Sequence, residues 1–85
     1  MIKLKKSIAI SESGFVFDPM SGDSFSVNEI GMEVLSLLKQ EKTAEVIIEY
    51  FIANYDVEAS DFEKYFYDFV GMLRQHQLIE ENEPA

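Results

Sequence analysis

The change of hydrophobic period near Asn28 constrains this chain more than any other feature. Before it, Ile8 and Ile10, then Phe15 and Phe17, alternate with smaller or more polar residues, the period of two that gives a strand one buried face. After it, apolar residues recur at three- and four-residue spacing, as in helices that bury one stripe. A chain that switches once from strand period to helix period predicts an α+β domain in which helices cover a small sheet.

Turn chemistry sets the strand limits. Ser11-Glu12-Ser13-Gly14 separates the first two runs, with Gly14 free to take a positive φ. In Asp18-Pro19-Met20-Ser21-Gly22-Asp23, Pro19 presets φ and Gly22 admits a left-handed residue before Ser24-Phe25-Ser26-Val27 resumes the alternation. The expected meander is three-stranded and antiparallel, near residues 7–11, 15–18 and 24–27, with Phe15 and Phe17 on its buried face. Such a sheet is not stable alone. The basic start, Met1 to Lys6, lacks the apolar run of a signal peptide and reads as an N-terminal arm or strand.

Three helices follow. Asn28 caps the first, which carries Ile30, Val34, Leu37 and Leu38 up to Lys39. Thr43 caps the second, with Ala44, Ile47, Ile48, Phe51, Ile52 and Tyr55 on its apolar face, and Asn54-Tyr55-Asp56-Val57 ends it. Ser60-Asp61-Phe62-Glu63 predicts a capping box at the start of the third. On that helix Phe62, Phe66, Phe69, Val70 and Leu73 fall in one sector, while Tyr65, Met72 and His76 lie on its flank. The flanking trio is either the edge of the core or an adaptable face for a partner peptide. Tyr67 points to the far side, and Gly71, also outward, costs the helix about 1 kcal/mol relative to alanine.

Composition narrows the function classes. At 85 residues the chain fits one small binding module better than a scaffold with an enclosed active site. Without cysteine there is no disulfide, thiol chemistry or zinc ribbon, which suits a reducing cytoplasm. The 16 acidic against 7 basic side chains give a charge of -9, which repels phosphate backbones. Lys64 and Arg74 are too few for a DNA-reading helix. No stretch has the roughly 20 apolar residues of a membrane span. One histidine, His76, without a carboxylate at triad spacing offers neither a nucleophile pair nor a metal site, so no enzyme, metal or cofactor is expected. Residues 80–85 read as an acidic tail after a domain spanning 1–79.

The run Ile8-Ala9-Ile10-Ser11-Glu12-Ser13-Gly14-Phe15-Val16-Phe17-Asp18-Pro19, then Val27-Asn28-Glu29-Ile30-Gly31, Tyr55-Asp56-Val57 and Leu78-Ile79, resembles the PqqD family. This is the group of peptide chaperones and precursor-peptide recognition elements of ribosomally made, post-translationally modified peptide pathways. The resemblance covers nearly the whole chain. It implies a winged helix-turn-helix-like domain that binds the leader of a precursor peptide and presents it to a modifying enzyme, often of the radical S-adenosylmethionine type. It further implies that the peptide adds as a strand beside Ser24, Phe25, Ser26 and Val27, facing Tyr65, Phe69, Met72 and His76 on the third helix. The chain departs from the family pattern at Ile30, where threonine is frequent, at Gln77, where a helix-ending glycine is usual, and at Tyr65, where an acidic residue is common. A structural module that dimerises through the same strand edge is the alternative.

Overall fold

The computed structural model describes residues 2–81. The elements run β1 (Ile2–Leu4), β2 (Ala9–Ile10), β3 (Phe15–Phe17), β4 (Ser24–Ser26), α1 (Glu29–Lys39), α2 (Ala44–Asn54), α3 (Ala59–Gln75) and β5 (Ile79–Glu81). The three-stranded antiparallel meander is present in the order β2-β3-β4 and is followed by three helices, so the α+β, winged-helix-like class holds. A second, two-stranded sheet joins the chain ends, β1 pairing antiparallel with β5 through Lys3 opposite Glu80 and Leu4 opposite Ile79. Glu80 and Glu81, expected to start a frayed tail, instead complete this ladder. Strand pairing between distant segments leaves no local pattern in either one. The rest of the expected tail, 82–85, lies outside the described residues.

The parity of β3 also differs from expectation. Val16 is buried, while Phe15 and Phe17 are 47% and 40% exposed. The register explains it: Ile10, Val16 and Phe25 lie opposite one another across the meander and share a face. The smaller valine occupies the core position, and the side-chain alternation sends both phenylalanines outward. Asp18, the next inward residue on β3's chain, is buried and fully engaged. Its carboxylate accepts the Met20 amide at 3.0 Å and the Ser21 hydroxyl at 3.2 Å, holding the β3–β4 turn together.

The core draws on nearly every element: Leu4, Ile8 and Val16 from the strands and their loops, Val34, Leu35 and Leu38 from α1, Ile47 and Phe51 from α2, and Phe62, Phe66, Val70 and Leu73 from α3. Phe51 and Phe62 stack with centroids 4.5 Å apart and clasp α2 to α3. Asn28 and Thr43 cap as expected, accepting the Gly31 and Val46 amides at 2.8 and 3.2 Å. The capping box does not form. α3 starts two residues earlier, with Glu58 at the N-cap and no side-chain bond there, so Ser60 already lies inside the helix. Beginning at Ala59 brings Phe62 onto Phe51, and that apolar contact outweighs one capping bond.

α1 and α3 end alike. The amides of Glu41 and Lys42 bond the carbonyls of Leu38 and Leu37, and those of Gln77 and Leu78 bond Arg74 and Leu73. These are Schellman motifs, in which the residue after the cap is left-handed and is most often glycine. Here Glu41 and Gln77 take φ of 61° and 59°. Gln77→Gly should therefore raise the stability of the domain by about 0.5–1 kcal/mol. Thermal and urea unfolding of the variant would check this, with an unchanged or lowered midpoint as the contrary result.

Candidate functional site

β4 is the outer strand of its sheet. The Val27 amide bonds the Gly14 carbonyl at 2.8 Å and the Asp18 amide bonds the Asp23 carbonyl at 2.9 Å. Between these two narrow pairs, the alternation of an antiparallel ladder joins Phe25 to Val16 and leaves Ser24 and Ser26 with their N–H and C=O groups turned to the open side. Neither lysine nor proline blocks this edge. Of the four positions that the sequence brings to it, Ser24 and Ser26 thus offer backbone. Phe25 and Val27, whose amides are turned inward, offer side chains.

The facing wall is a single stripe of α3. Tyr65, Phe69, Met72 and the C-cap residue His76 follow one another at helical spacing. Strand and helix meet where the Phe25 ring stacks on His76, centroids 5.2 Å apart and planes at 22°. Farther along, Tyr65 and Phe69 stack at 6.0 Å. Tyr65, Phe69 and Met72 are half-buried against the core, and burial pushes the Tyr65 hydroxyl up from its ordinary pKa. The flank is therefore both core edge and accessible surface. Gly31 lets the first turn of α1 close on it, since a Cβ there would lie 3.1 Å from Val27 Cβ and 3.3 Å from the Phe69 ring. Gly71, by contrast, has open space around it, and Tyr67 is exposed as expected.

Tyr65, at the end of this stripe, also lines a pocket of about 240 Å³ that sequence reasoning missed. Its apolar lining is Ile30, Phe51, Tyr55, Val57, Phe62 and Tyr65, from all three helices and the α2–α3 loop. The signal is present in Tyr55, which the sequence puts on the apolar face of the second helix, and in Val57, an apolar residue just past that helix's end. One wall is fixed by a brace: the Tyr50 and Tyr55 hydroxyls donate to the two carboxylate oxygens of Glu33 on α1. These bonds, Tyr50 first, hold the Glu33 carboxyl below the usual carboxylate range. The bond to Glu33, with lesser help from burial, pushes Tyr55 up to about 12. Among the described residues no group of His, Asp and Glu is gathered to hold a metal ion.

The family model of coenzyme PQQ synthesis protein D, PqqD, matches residues 14–79. No curated protein matches the sequence. Two solved structures share the fold. One is a lasso peptide synthetase B1 complexed with the leader peptide, with a TM-score of 0.82 and 18% identity over 94% of this chain and 98% of that one. The other is TbiB1 in complex with the TbiA(beta) leader peptide, with a TM-score of 0.85 and 24% identity over 96% and 99%.

The brace generates a pH prediction. Glu33 is depressed, so its contribution to stability is present above the ordinary carboxylate pKa and is lost as pH falls through the lower folded value. Tyr55 is raised, so its contribution is full below its ordinary value of 10.0 and disappears as pH climbs through about 12. In Glu33→Gln, the tyrosinate absorbance titration should lose its most alkaline component, which moves toward the ordinary tyrosine range. A titration identical to that of the parent would show that the brace does not hold in solution.

Proposed function

The chain belongs to the PqqD family, and from that premise we propose that it binds the leader segment of a ribosomally made precursor peptide and presents the peptide to a modifying enzyme. The leader adds as a strand to the open edge of β4 and lays its side chains against α3. The observation that carries this reading is the meeting of an unblocked edge at Ser24 and Ser26 with the stripe from Tyr65 to His76. Both structural neighbours were solved with leader peptides, which supports the same reading. The enzyme belongs either to the radical S-adenosylmethionine class implied by the family or to the lasso peptide synthetase class named for one of the neighbours. The chain itself holds the peptide and leaves the chemistry to that enzyme.

Magnitudes support a division of labour. The edge provides a few backbone hydrogen bonds, each worth about 0.5–1.5 kcal/mol net. Association costs about 4–15 kcal/mol, so the edge sets direction and register without holding the peptide. Two or three apolar side chains, each contributing about 1.5–3 kcal/mol on burial, bring the affinity into the micromolar range or better. The Tyr65–Phe69–Met72 stripe and the pocket at Tyr65 are where they go.

Calorimetry with the cognate leader peptide tests both parts. Tyr65→Ala and Met72→Ala should each weaken binding by about tenfold or more, consistent with loss of a side-chain contact worth about 1.5–3 kcal/mol. Ser26→Pro removes one outward N–H, a change that an edge strand tolerates, and should likewise weaken binding while the fold survives. Full affinity in all three folded variants would remove the groove from the account. A dimer that persists unchanged when the leader is added would instead favour strand pairing between two copies through this edge.

A further inference from the structure

We propose that the cavity at the C-terminal end of α1 docks an acidic segment of a partner protein. It has a volume of about 250 Å³, and Lys3, Lys5, Lys6 and Lys39 line it together with Leu4 and Leu38. Four of the chain's 7 basic side chains thus gather at one opening of a molecule whose net charge is -9. The helix dipole accounts for Lys39, which stands in the last turn of α1. It does not account for Lys5 and Lys6, which lie on the turn after β1. Clustered ammonium groups repel one another unless an anion lies among them.

The chain supplies two such anions itself, and one of them, Glu80, stands opposite Lys3 in the β1–β5 ladder and acts on it by its charge. Glu41 also lines the cavity, and Lys3 Nζ lies 2.9 Å from its Oε1. The bond to Lys3 and its charge, with a smaller contribution from Lys6, hold the Glu41 carboxyl below the usual range. Glu41 reaches this place from a left-handed backbone at φ 61°, where glycine would be the unstrained choice. That backbone belongs to the motif that ends α1; the ion pair with Lys3 identifies the kind of group the cavity accepts. Glu41 is the resident carboxylate that an incoming one replaces.

The surroundings favour a polypeptide over a small inorganic anion. The amides of Glu41 and Lys42 are committed to helix carbonyls, so they cannot form an amide nest for phosphate. What remains is a spread of flexible point charges beside two leucines, suited to carboxylates strung along a chain. The cavity lies at the opposite end of α1 from the cap at Asn28, about 16 Å along the helix at 1.5 Å per residue. On its other side the Lys5 amide bonds the Leu78 carbonyl, two residues past His76, so the cavity adjoins the His76 end of the stripe and lies away from its Tyr65 end. The second surface stands whether or not the groove takes a leader.

Titration of the isotope-labelled full chain with a poly-glutamate peptide, followed by amide chemical shifts, tests the proposal. Shifts should concentrate at residues 3–6 and 38–42, spare Ser24 and Ser26, and weaken with added salt. The triple variant Lys5→Ser, Lys6→Ser, Lys39→Ser should lose binding by about tenfold or more. Glu41→Gln, which removes the resident charge, should bind more tightly than the parent. Unfolding midpoints near the parent's would establish that both variants are folded. Shifts spread evenly over the surface, shifts unaffected by the triple variant, equal effects of inorganic phosphate, or stronger binding to anionic lipid vesicles than to poly-glutamate would each overturn the proposal.

Discussion

The site depends on the register between β3 and β4. Val16 opposite Phe25 forms a hydrogen-bonded pair on the core side of the sheet, and three consequences follow at once. Phe25 turns inward and stacks on His76, fixing the distance between the meander and the end of α3. Ser24 and Ser26 turn their backbone groups outward, so the edge is open at those two positions and closed at Phe25 and Val27. Phe15 and Phe17 go to the outer face, leaving the inner one to Ile10, Val16 and Phe25. A slip of one residue would reverse all three. The buried carboxylate of Asp18, tied to Met20 and Ser21, pins the turn that prevents it.

The helices complete what the register begins. Gly31 admits Phe69 and Val27 to close contact, which sets the floor of the groove. Phe51 against Phe62 sets how α2 approaches α3 and thereby shapes the pocket at Tyr65. Glu33 draws Tyr50 and Tyr55 across from α2, so the pocket wall is anchored to the same helix whose first turn borders the groove. A groove with braced walls loses less side-chain freedom when a ligand enters, and a larger share of the contact energy then appears as affinity.

Much of this was legible in the sequence, for definite reasons. The period change near Asn28, the Asn28 and Thr43 caps and the Tyr65–Met72–His76 stripe are local patterns, and local patterns survive folding. What the sequence hid was non-local or a matter of competition. β5 exists because β1 lies beside it, and nothing within Ile79–Glu81 announces that. Phe15 and Phe17 look more like core residues than Val16 does. Parity is nevertheless set by the pairing with Ile10 and Phe25, and bulk does not decide it. Ser60 is a good cap in isolation but loses to the phase that puts Phe62 on Phe51. Gln77 is the instructive case. The departure from a helix-ending glycine was visible in the sequence, and the left-handed φ of 59° shows that the fold keeps the glycine geometry without the glycine.

The excess of acid is not evenly spread, and this changes its meaning. Four lysines face one cavity at the far end of α1, while the carboxylates cover much of the remaining surface. Such a molecule presents its partners with two electrostatic faces, which steers encounter more than it deepens affinity. The central claim remains that the leader becomes a fourth strand on β4, and amide hydrogen exchange at single-residue resolution tests it most directly. On leader binding the Ser24 and Ser26 amides, open in the free chain, should gain strong protection, while the Phe25 amide, already paired with Val16, should change little. A leader that binds with full affinity yet leaves Ser24 and Ser26 exchanging as fast as before would contradict the account.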